Sequence, residues 1–337
     1  MRVFSLKLLL FFLSIEILLR VCSYLVPYWY RQAEHDVRRN PVKYIFIGSS
    51  RVASSIVPVV FAQAMGDTNI TSAAINMGTG HSTLAEHYLG LQKIAAAMPE
   101  GLKGVTVFFE APQGVPSLES WRDSWFHPDN PYLLVNTIGF PDLQLFWMKS
   151  TSDFDQKLMV TGAMFSEAIA MQGNGKVLLA RMKKNILQNR VKVAPEKVVL
   201  SASGNVRTDE AGIQNARRLA LNFVKNHMKH ERLINIQSSN EMIIKSLNDY
   251  INVKGGRLVL YRMPVSSVWN QYYTTSIGRE NRNIANDLLT DWAIPMLNPS
   301  IKTDDDDFPD YWHLRKSRAS EFTQSLAQAY TEFKKKH

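Results

Sequence analysis

The chain has 337 residues, of which 45% are hydrophobic and 20% are charged, so it can bury one large core or two moderate ones and is neither a disordered tail nor a fibre. Its formal net charge is +9, but the basic residues are dispersed apart from short groups at 183–184 and 334–336. This distribution favours weak attraction to anionic surfaces such as membranes or acidic polymers, and it disfavours a dedicated nucleic-acid-binding module.

The N-terminal segment is predicted to be a transmembrane anchor. Residues 8–26 read LLLFFLSIEILLRVCSYLV and are followed by Pro27; a helix of that length spans about 28 Å, close to the hydrocarbon thickness of a bilayer. Glu16 and Arg20 are four residues apart, where they can pair on one helical face or meet a partner inside the membrane. Cys22, the single cysteine, excludes an internal disulfide and a cysteine-based metal site.

A cleaved signal peptide is the competing interpretation of this segment, because a basic start and a short apolar core are both present. No small-x-small cleavage site follows, and residues 19–22 (LRVC) lack the small residues of a lipid-attachment box. We therefore expect an uncleaved anchor over residues 1–28 and a juxtamembrane linker over residues 29–42. The charges that flank the anchor favour a cytoplasmic location for the following domain, but large domains translocate despite such charges, so the orientation stays open.

Residues 43–337 alternate short apolar runs with helical patterns. Continuous apolar runs of the kind used by buried parallel strands occur at 43–48, 71–76, 104–109, 257–263 and 293–297. Helical periodicity covers 54–65, 84–98, 279–292 and 314–334. The alternation predicts a three-layer α/β fold with a parallel sheet, in which functional sites gather at the carboxyl ends of the strands.

Two of the predicted strands run into sequences that suit chemistry. The first ends at residues 48–50 (GSS), which form either a turn with a helix cap or a nucleophile presented at a strand end. The second ends at residues 76–80 (NMGTG), where glycines let backbone N–H groups face a ligand. Arg51 is a candidate for holding an anionic substrate or for pairing with a nearby acid, and His81 is a candidate accessory or substrate-binding residue.

The middle of the chain breaks the alternation. Residues 115–250 contain aromatic-rich segments and long patterns such as KVLLARMKKNIL with few strand signals, so we expect a mostly helical insertion between the third and fourth strands. Trp121, Trp125 and Tyr132 are candidates for a sugar-stacking platform or for core packing. The acidic run 304–307 is predicted to be a solvated loop, because four consecutive aspartates cannot all face one cation, and no metal site is predicted.

Residues 310–313 (DYWH) precede the last predicted helix. A serine hydroxyl is a poor nucleophile unless a base takes its proton, and a histidine serves as that base when a third group fixes its tautomer. Asp310 and His313 are three positions apart, so one turn of backbone can bring the carboxylate to the imidazole. Each of the three sequence blocks is common by itself, and their order at strand ends is what favours catalysis.

This order of blocks resembles the SGNH/GDSL hydrolase superfamily, whose members carry a serine block after the first strand, a glycine block after the second and a DxxH block near the C-terminus. The resemblance covers roughly residues 43–112 and 256–333 and implies a flavodoxin-like SGNH fold. It implies Ser50 as the nucleophile, His313 as its base and Asp310 as the acid that orients the base.

The resemblance also implies an oxyanion hole built from the Ser50 backbone N–H and Gly80, with Gly78 as the alternate donor. Two features depart from the family pattern. Ser49 replaces the usual aspartate of the first block, which resembles membrane-anchored envelope members that work beside membrane-bound O-acyltransferases. Residues 110–113 (EAPQ) replace the usual Gly-x-Asn-Asp block, so either Gln113 substitutes for the asparagine donor or the hole rests on backbone amides.

These features predict a membrane-anchored serine esterase or O-acyltransferase, single-pass in the inner (cytoplasmic) membrane, that acts extracytoplasmically on acyl groups, expected to be acetyl, of an envelope polysaccharide. The implied partners are an acylated glycan or acyl donor and a multi-spanning membrane-bound O-acyltransferase, with no cofactor and no nucleic acid. The alternative is a non-catalytic SGNH-like scaffold that binds glycan or such a transferase, which the missing asparagine favours. Phosphate binding at residues 76–80 is disfavoured, because this loop lacks the lysine and spacing of a P-loop.

Overall fold

The computed structural model describes residues 29–78, 84–111, 210–229, 238–291 and 293–336, with isolated positions between 11 and 17 and between 147 and 162. Its strands are β1 (Tyr44–Ile47), β2 (Ala74–Asn76), β3 (Thr106–Glu110), β4 (Arg257–Tyr261) and β5 (Met296–Leu297). They form one parallel sheet in the order β2-β1-β3-β4-β5. The predicted α/β fold with a parallel sheet is confirmed, and each strand falls on the apolar run that predicted it.

The helices of the described residues lie between and around these strands. They are α1 (Trp29–Arg39), α2 (Ser50–Ser55), α3 (Pro58–Ala64), α4 (Leu84–Ala97), α5 (Glu210–Lys229), α6 (Ser238–Val253), α7 (Ser267–Thr274), α8 (Ser276–Asp291) and α9 (Lys316–Lys336), and Asp305–Asp307 form a 3-10 turn. The prediction of a single helix over residues 54–65 is wrong. Proline disfavours the helical conformation of the preceding residue, and Val57 before Pro58 is extended (φ −108°, ψ 96°), so two short helices form instead.

The N-terminal predictions fall mostly outside the described residues. The expected membrane-spanning stretch, residues 8–26, is described only at position 11 and positions 13–17. In the parts of the chain that the structure describes, no helix has both the length and the apolar character needed to cross a membrane. The segment expected to be a juxtamembrane linker begins as α1, whose Ala33 and Val37 are buried.

Helices pack against both faces of the sheet. Successive side chains of a strand point to opposite faces, and on one face the ring of Phe46 lies 4.9 Å from that of Phe61 on α3, while the ring of Phe108 lies 4.9 Å from that of Tyr330 on α9. On the other face α4 brings His87 to 6.0 Å from the Phe109 ring, and α6 packs against α4 and β4. With both faces covered, β1 and β3 are buried along their whole length.

The chain divides into two compact units, residues 1–32 with 125–198 and residues 33–124 with 199–337. The sheet and every described residue of the candidate site belong to the second unit, which also holds α5 and α6 from the predicted insertion. Within this unit β1 lies between β2 and β3, so the chain turns to one side of β1 and then to the other. Doubly wound sheets bind ligands at the carboxyl ends of the strands that flank such a switch point.

Candidate active site

A hydrogen-bonded chain of three side chains lies at this edge of the sheet. His313 Nε2 is 2.7 Å from Ser50 Oγ, although these residues are 263 positions apart in the sequence. His313 Nδ1 is 2.6 Å from Asp310 Oδ2. Both separations are within hydrogen-bond range, the geometry that a serine nucleophile, its general base and an orienting acid require. The structure thus brings together the three residues that the sequence singled out as a catalytic set.

The turn after β1 presents Ser50 at the strand end because glycine precedes it. A Cβ atom on Gly48 would lie 2.4 Å from Val52 Cγ2 and 2.8 Å from Glu110 Cβ, so no larger residue fits where the chain turns. Ser49 then caps α2, and its hydroxyl oxygen accepts the N–H of Arg51 at 3.2 Å. Ser50 is therefore the first residue of α2, with its hydroxyl at the carboxyl end of β1.

Glu110 fixes this turn from the neighbouring strand. It is the last residue of β3 and only 8% exposed, and its Oε2 accepts both the backbone N–H of Ser49 at 2.9 Å and the Ser49 hydroxyl at 2.7 Å. This contact was not predicted from the sequence, in which residues 110–113 stand only where the family has its third block. The signal was present, since an acidic residue at the end of a buried apolar strand needs a partner.

Arg51 is buried and contacts an acid, a backbone carbonyl and an aromatic ring. Its side chain is 4% exposed, with Nη1 3.5 Å from Glu110 Oε1, and Nη2 donates to the Pro264 carbonyl at 2.7 Å. The guanidinium also lies over the Trp312 ring at 5.1 Å. Of the two alternatives left open for Arg51, this geometry favours pairing with an acid.

Asp310 is held as a carboxylate that orients the histidine. Its Oδ1 accepts the backbone N–H groups of Trp312 at 2.9 Å and His313 at 2.7 Å, which leaves Oδ2 for the ring. Burial alone would raise the pKa of Asp310, but the hydrogen bond and charge of His313 and these two backbone N–H groups together lower it below its usual value. A carboxylate at Nδ1 keeps a proton there, so Nε2 is free to accept the proton of Ser50.

The N-cap residue of α7 and a residue of α5 support the loop that carries this pair. Tyr311 has φ 61°, a left-handed conformation that is strained for a tyrosine, and its carbonyl accepts the hydroxyl of the buried Ser266 at 2.8 Å. Arg217 of α5 donates from Nε to the Pro309 carbonyl at 2.9 Å, and its guanidinium lies 5.1 Å from the centre of the Tyr311 ring. Part of the predicted insertion thus contacts the candidate site.

The glycine block after β2 has a packing role at its first glycine. The Gly78 N–H donates to Asn76 Oδ1 at 2.8 Å, and a Cβ on Gly78 would lie 2.4 Å from the backbone nitrogen of Ala53. This engaged N–H corrects the prediction of Gly78 as an alternate oxyanion donor. The Ser50 N–H, at the start of α2, has no carbonyl partner within the helix and stays suited to that role, whereas Gly80, like His81 and Gln113, lies outside the described residues.

The acidic run 304–307 is folded onto itself and its neighbours. Asp304 caps the 3-10 turn in a capping box with Asp307, and Asp305 accepts the N–H of Ser267 at 2.8 Å. Among the described residues, no group of three or more His, Cys, Asp or Glu side chains could hold a metal ion. These aspartates contribute capping and packing in the arrangement that the structure shows.

No protein-family model matches the chain, and no curated protein matches its sequence.

Proposed function

We propose that this chain is a serine esterase or O-acyltransferase of the SGNH type. The observation that carries the proposal is the continuous contact from Asp310 through His313 to Ser50, with 2.6 Å and 2.7 Å between the bonded atoms. Ser50 Oγ attacks the carbonyl carbon of an acyl ester while His313 Nε2 takes the hydroxyl proton. The tetrahedral intermediate collapses, the alcohol leaves with the proton from His313, and the acyl group stays on Ser50 as an ester.

The acyl group then leaves by the reverse sequence. His313 takes a proton from an incoming hydroxyl, whose oxygen attacks the acyl carbon, and the tetrahedral intermediate then releases Ser50, whose oxygen takes that proton back from His313. If the hydroxyl belongs to a sugar, the reaction is acyl transfer, and if it belongs to water, the reaction is hydrolysis. Asp310 stabilises the imidazolium that forms in each half-reaction, and its lowered pKa keeps it ionised throughout.

The proposed substrate class and location rest on two features of the sequence. The GSS block, with Ser49 in place of an aspartate, resembles membrane-anchored envelope members, and residues 8–26 have the length and apolar character of an anchor. We therefore assign the chain to the extracytoplasmic face of the inner membrane, with acyl groups of an envelope polysaccharide as its substrate. A membrane-bound O-acyltransferase is the proposed source of those groups.

Replacing the nucleophile tests this proposal. Ser50→Ala in the full-length protein in detergent should lower hydrolysis of p-nitrophenyl acetate by at least ~10³-fold and abolish labelling by a fluorophosphonate probe. Ser54→Ala is the matched control, because Ser54 is on the same helix and its hydroxyl contacts only that helix, namely the Arg51 carbonyl at 3.0 Å and the Ser55 hydroxyl at 3.3 Å. Retained turnover in folded Ser50→Ala protein would overturn the proposal.

A non-catalytic scaffold is the second candidate, and one observation favours it. Of the two oxyanion donors predicted within the described residues, the Gly78 N–H donates to Asn76, which leaves the Ser50 N–H as the candidate. Loss of one oxyanion donor typically costs about 2.7 to 4 kcal/mol of transition-state stabilisation. Absence of a fluorophosphonate adduct at Ser50 in the wild-type protein together with its membrane partner would favour the scaffold.

A further inference from the structure

A cavity with two arginines in its lining opens beside the carboxyl end of β4. It has a volume of about 60 Å³ and is lined by Arg262, Met263, Val265, Asn270, Tyr273, Arg282 and Asn286. Arg262 directly follows β4, and its backbone N–H donates to the Leu297 carbonyl of β5 at 3.3 Å. Because a water takes up about 30 Å³ in the liquid, the cavity has room for about two waters or for one small anionic group.

The charges of this cavity are not balanced. Arg262 donates from Nη2 to Asn286 Oδ1, but its Nε is buried without a hydrogen-bond partner. Arg282 places its guanidinium 5.2 Å from the centre of the Tyr273 ring. Within the described ranges, no ion pair involves either arginine. Burial, and then the nearby Arg282, lower the pKa of Arg262, as expected where positive charges meet without an acid.

Tyr273 adds a second buried hydrogen-bond donor to the cavity. The hydroxyl of Tyr273 is buried without a hydrogen-bond partner, and burial raises its pKa, so it stays protonated at neutral pH. An acceptor that enters the cavity could satisfy this hydroxyl and the Nε of Arg262 together. A cation would be repelled by the two guanidinium groups, and a neutral ligand would leave their charge uncompensated.

We propose that this cavity binds an oxyanion, namely a carboxylate, sulfate or phosphate group, between Arg262 and Arg282. A guanidinium presents its N–H groups in a planar fork that matches two oxygens of such a group. The ligand is either a free inorganic anion or an acidic substituent on a sugar. The binding site is separate from the Ser50 hydroxyl and does not depend on the proposed catalysis.

The cavity is nonetheless connected with the candidate active site through α7. Tyr273 belongs to a buried cluster with Trp269 and Tyr272, against which Tyr311 and Trp312 of the Asp310–His313 loop pack. The rings of Trp269 and Trp312 are 4.8 Å apart. An acidic group bound at Arg262 and Arg282 would thus sit behind the aromatic cluster that supports the loop.

Titration of the full-length protein in detergent tests the site. Sodium phosphate, sodium sulfate and sodium glucuronate are compared by calorimetry with glucose and with sodium chloride at matched ionic strength, and the same titrations are repeated on Ser50→Ala protein. We expect saturable binding of at least one oxyanion, no binding of glucose, and the same affinity in the Ser50→Ala protein. Preference for glucuronate would identify an acidic sugar as the ligand, and preference for phosphate or sulfate a free inorganic anion.

Two arginines on the same helix provide the decisive pair of variants. Arg282→Gln should weaken oxyanion binding by about tenfold or more, because it removes one charge-assisted fork. Arg279→Gln makes the same change of charge at an exposed position outside the cavity and should leave binding within about twofold. Arg262→Lys, which keeps the charge but loses the fork, should also weaken binding.

Two results would overturn the proposal. One is the absence of any oxyanion binding beyond the sodium chloride control. The other is equal weakening by Arg279→Gln and Arg282→Gln, which would indicate general electrostatic attraction and no defined cavity site. Because the measurement is binding and not turnover, failure of the proposed catalysis leaves both results interpretable.

Discussion

The two halves of the candidate triad are held in different ways. Ser50 stands on a turn whose supports are buried in the sheet, since Arg51 and Glu110 have side chains only 4% and 9% exposed. His313 and Asp310 stand on a loop and are 19% and 20% exposed, and Arg217, which supports that loop from α5, is 23% exposed. The comparison indicates that the nucleophile is fixed by the core, whereas the base and acid are fixed by contacts near the surface. Damage to the first half should therefore lower stability and activity together, and damage to the second should lower activity alone.

The largest effect is expected at the acid of the second half. Asp310→Asn should lower the rate of ester hydrolysis by ~10⁴-fold, because an amide favours the wrong tautomer of the histidine in Ser-His-Asp triads. The free energy of unfolding should change little, since the backbone N–H groups of Trp312 and His313 can still donate to the amide oxygen. Steady-state kinetics and urea denaturation measure the two quantities. A loss of stability as large as the loss of activity would contradict the proposed difference between the halves.

The first half should respond in the opposite way. Glu110→Ala leaves Arg51 buried without its acid and Ser49 without its acceptor, and breaking a buried pair from one side typically costs about 3 to 5 kcal/mol. Urea denaturation should show that loss in the free energy of unfolding, together with reduced activity. Glu34→Ala is a control, because the Glu34 pair with Arg38 is largely exposed and should contribute less than about 1 kcal/mol. Equal effects of the two substitutions would show that burial does not set the strength of the Glu110 contacts.

Lowering the pH should reduce the free energy of unfolding through a buried histidine, an effect of intermediate size. Burial lowers the pKa of His87, which packs on β3 beside Glu110, to about 4. Between pH 6.5 and about 4 the unfolded chain binds a proton that the folded chain does not, so the free energy of unfolding falls as the pH drops through this window, by roughly 2 to 3 kcal/mol. The lowered pKa of Asp310 favours its ionised form in this window. His87→Leu should remove most of this pH dependence in urea denaturation, and an unchanged slope would rule out His87 as its source.

The smallest effect is expected from the support on α5. Arg217→Gln removes the donor to the Pro309 carbonyl and should lower kcat by about tenfold with little change in KM, because a small misplacement of the base slows the chemical step more than binding. The free energy of unfolding should fall by less than about 1 kcal/mol, since the nearby Asp306 is 92% exposed. Arg218→Gln, on the next residue and exposed, is the control. An effect on KM alone would show that Arg217 contacts substrate and does not position the loop.

The sequence predicted what depends on local pattern. The five apolar runs located the strands, and the Asp310 to His313 spacing predicted a pair that the structure places 2.6 Å apart. The meeting of Ser50 with His313 was predicted from the rule that sites gather at strand ends and from a family resemblance, because no local pattern connects positions 263 apart.

The contacts that the sequence did not predict join distant segments. Glu110 meets Ser49 across 61 positions and Arg51 meets Pro264 across 213, and nothing in either neighbourhood specifies its partner. The role of Arg217 was not predicted for the same reason, because its contact with Pro309 spans 92 positions. The break between α2 and α3 did have a local signal in the sequence, namely Pro58. The helical periodicity of the surrounding residues nevertheless led to the prediction of a single helix.

The short helix that begins with Ser50 packs closely against two glycines, Gly48 and Gly78. A Cβ at Gly48 would meet Val52, and a Cβ at Gly78 would meet Ala53, each within 2.4 Å. Relieving either clash would displace the helix by about an ångström, a shift that is known to slow catalysis about a hundredfold in well-ordered sites. The distance from the Ser50 hydroxyl to the imidazole thus depends on the close contact of these two glycines with the helix, and a single methyl group added at either one would misalign the site while leaving every reactive group in the chain.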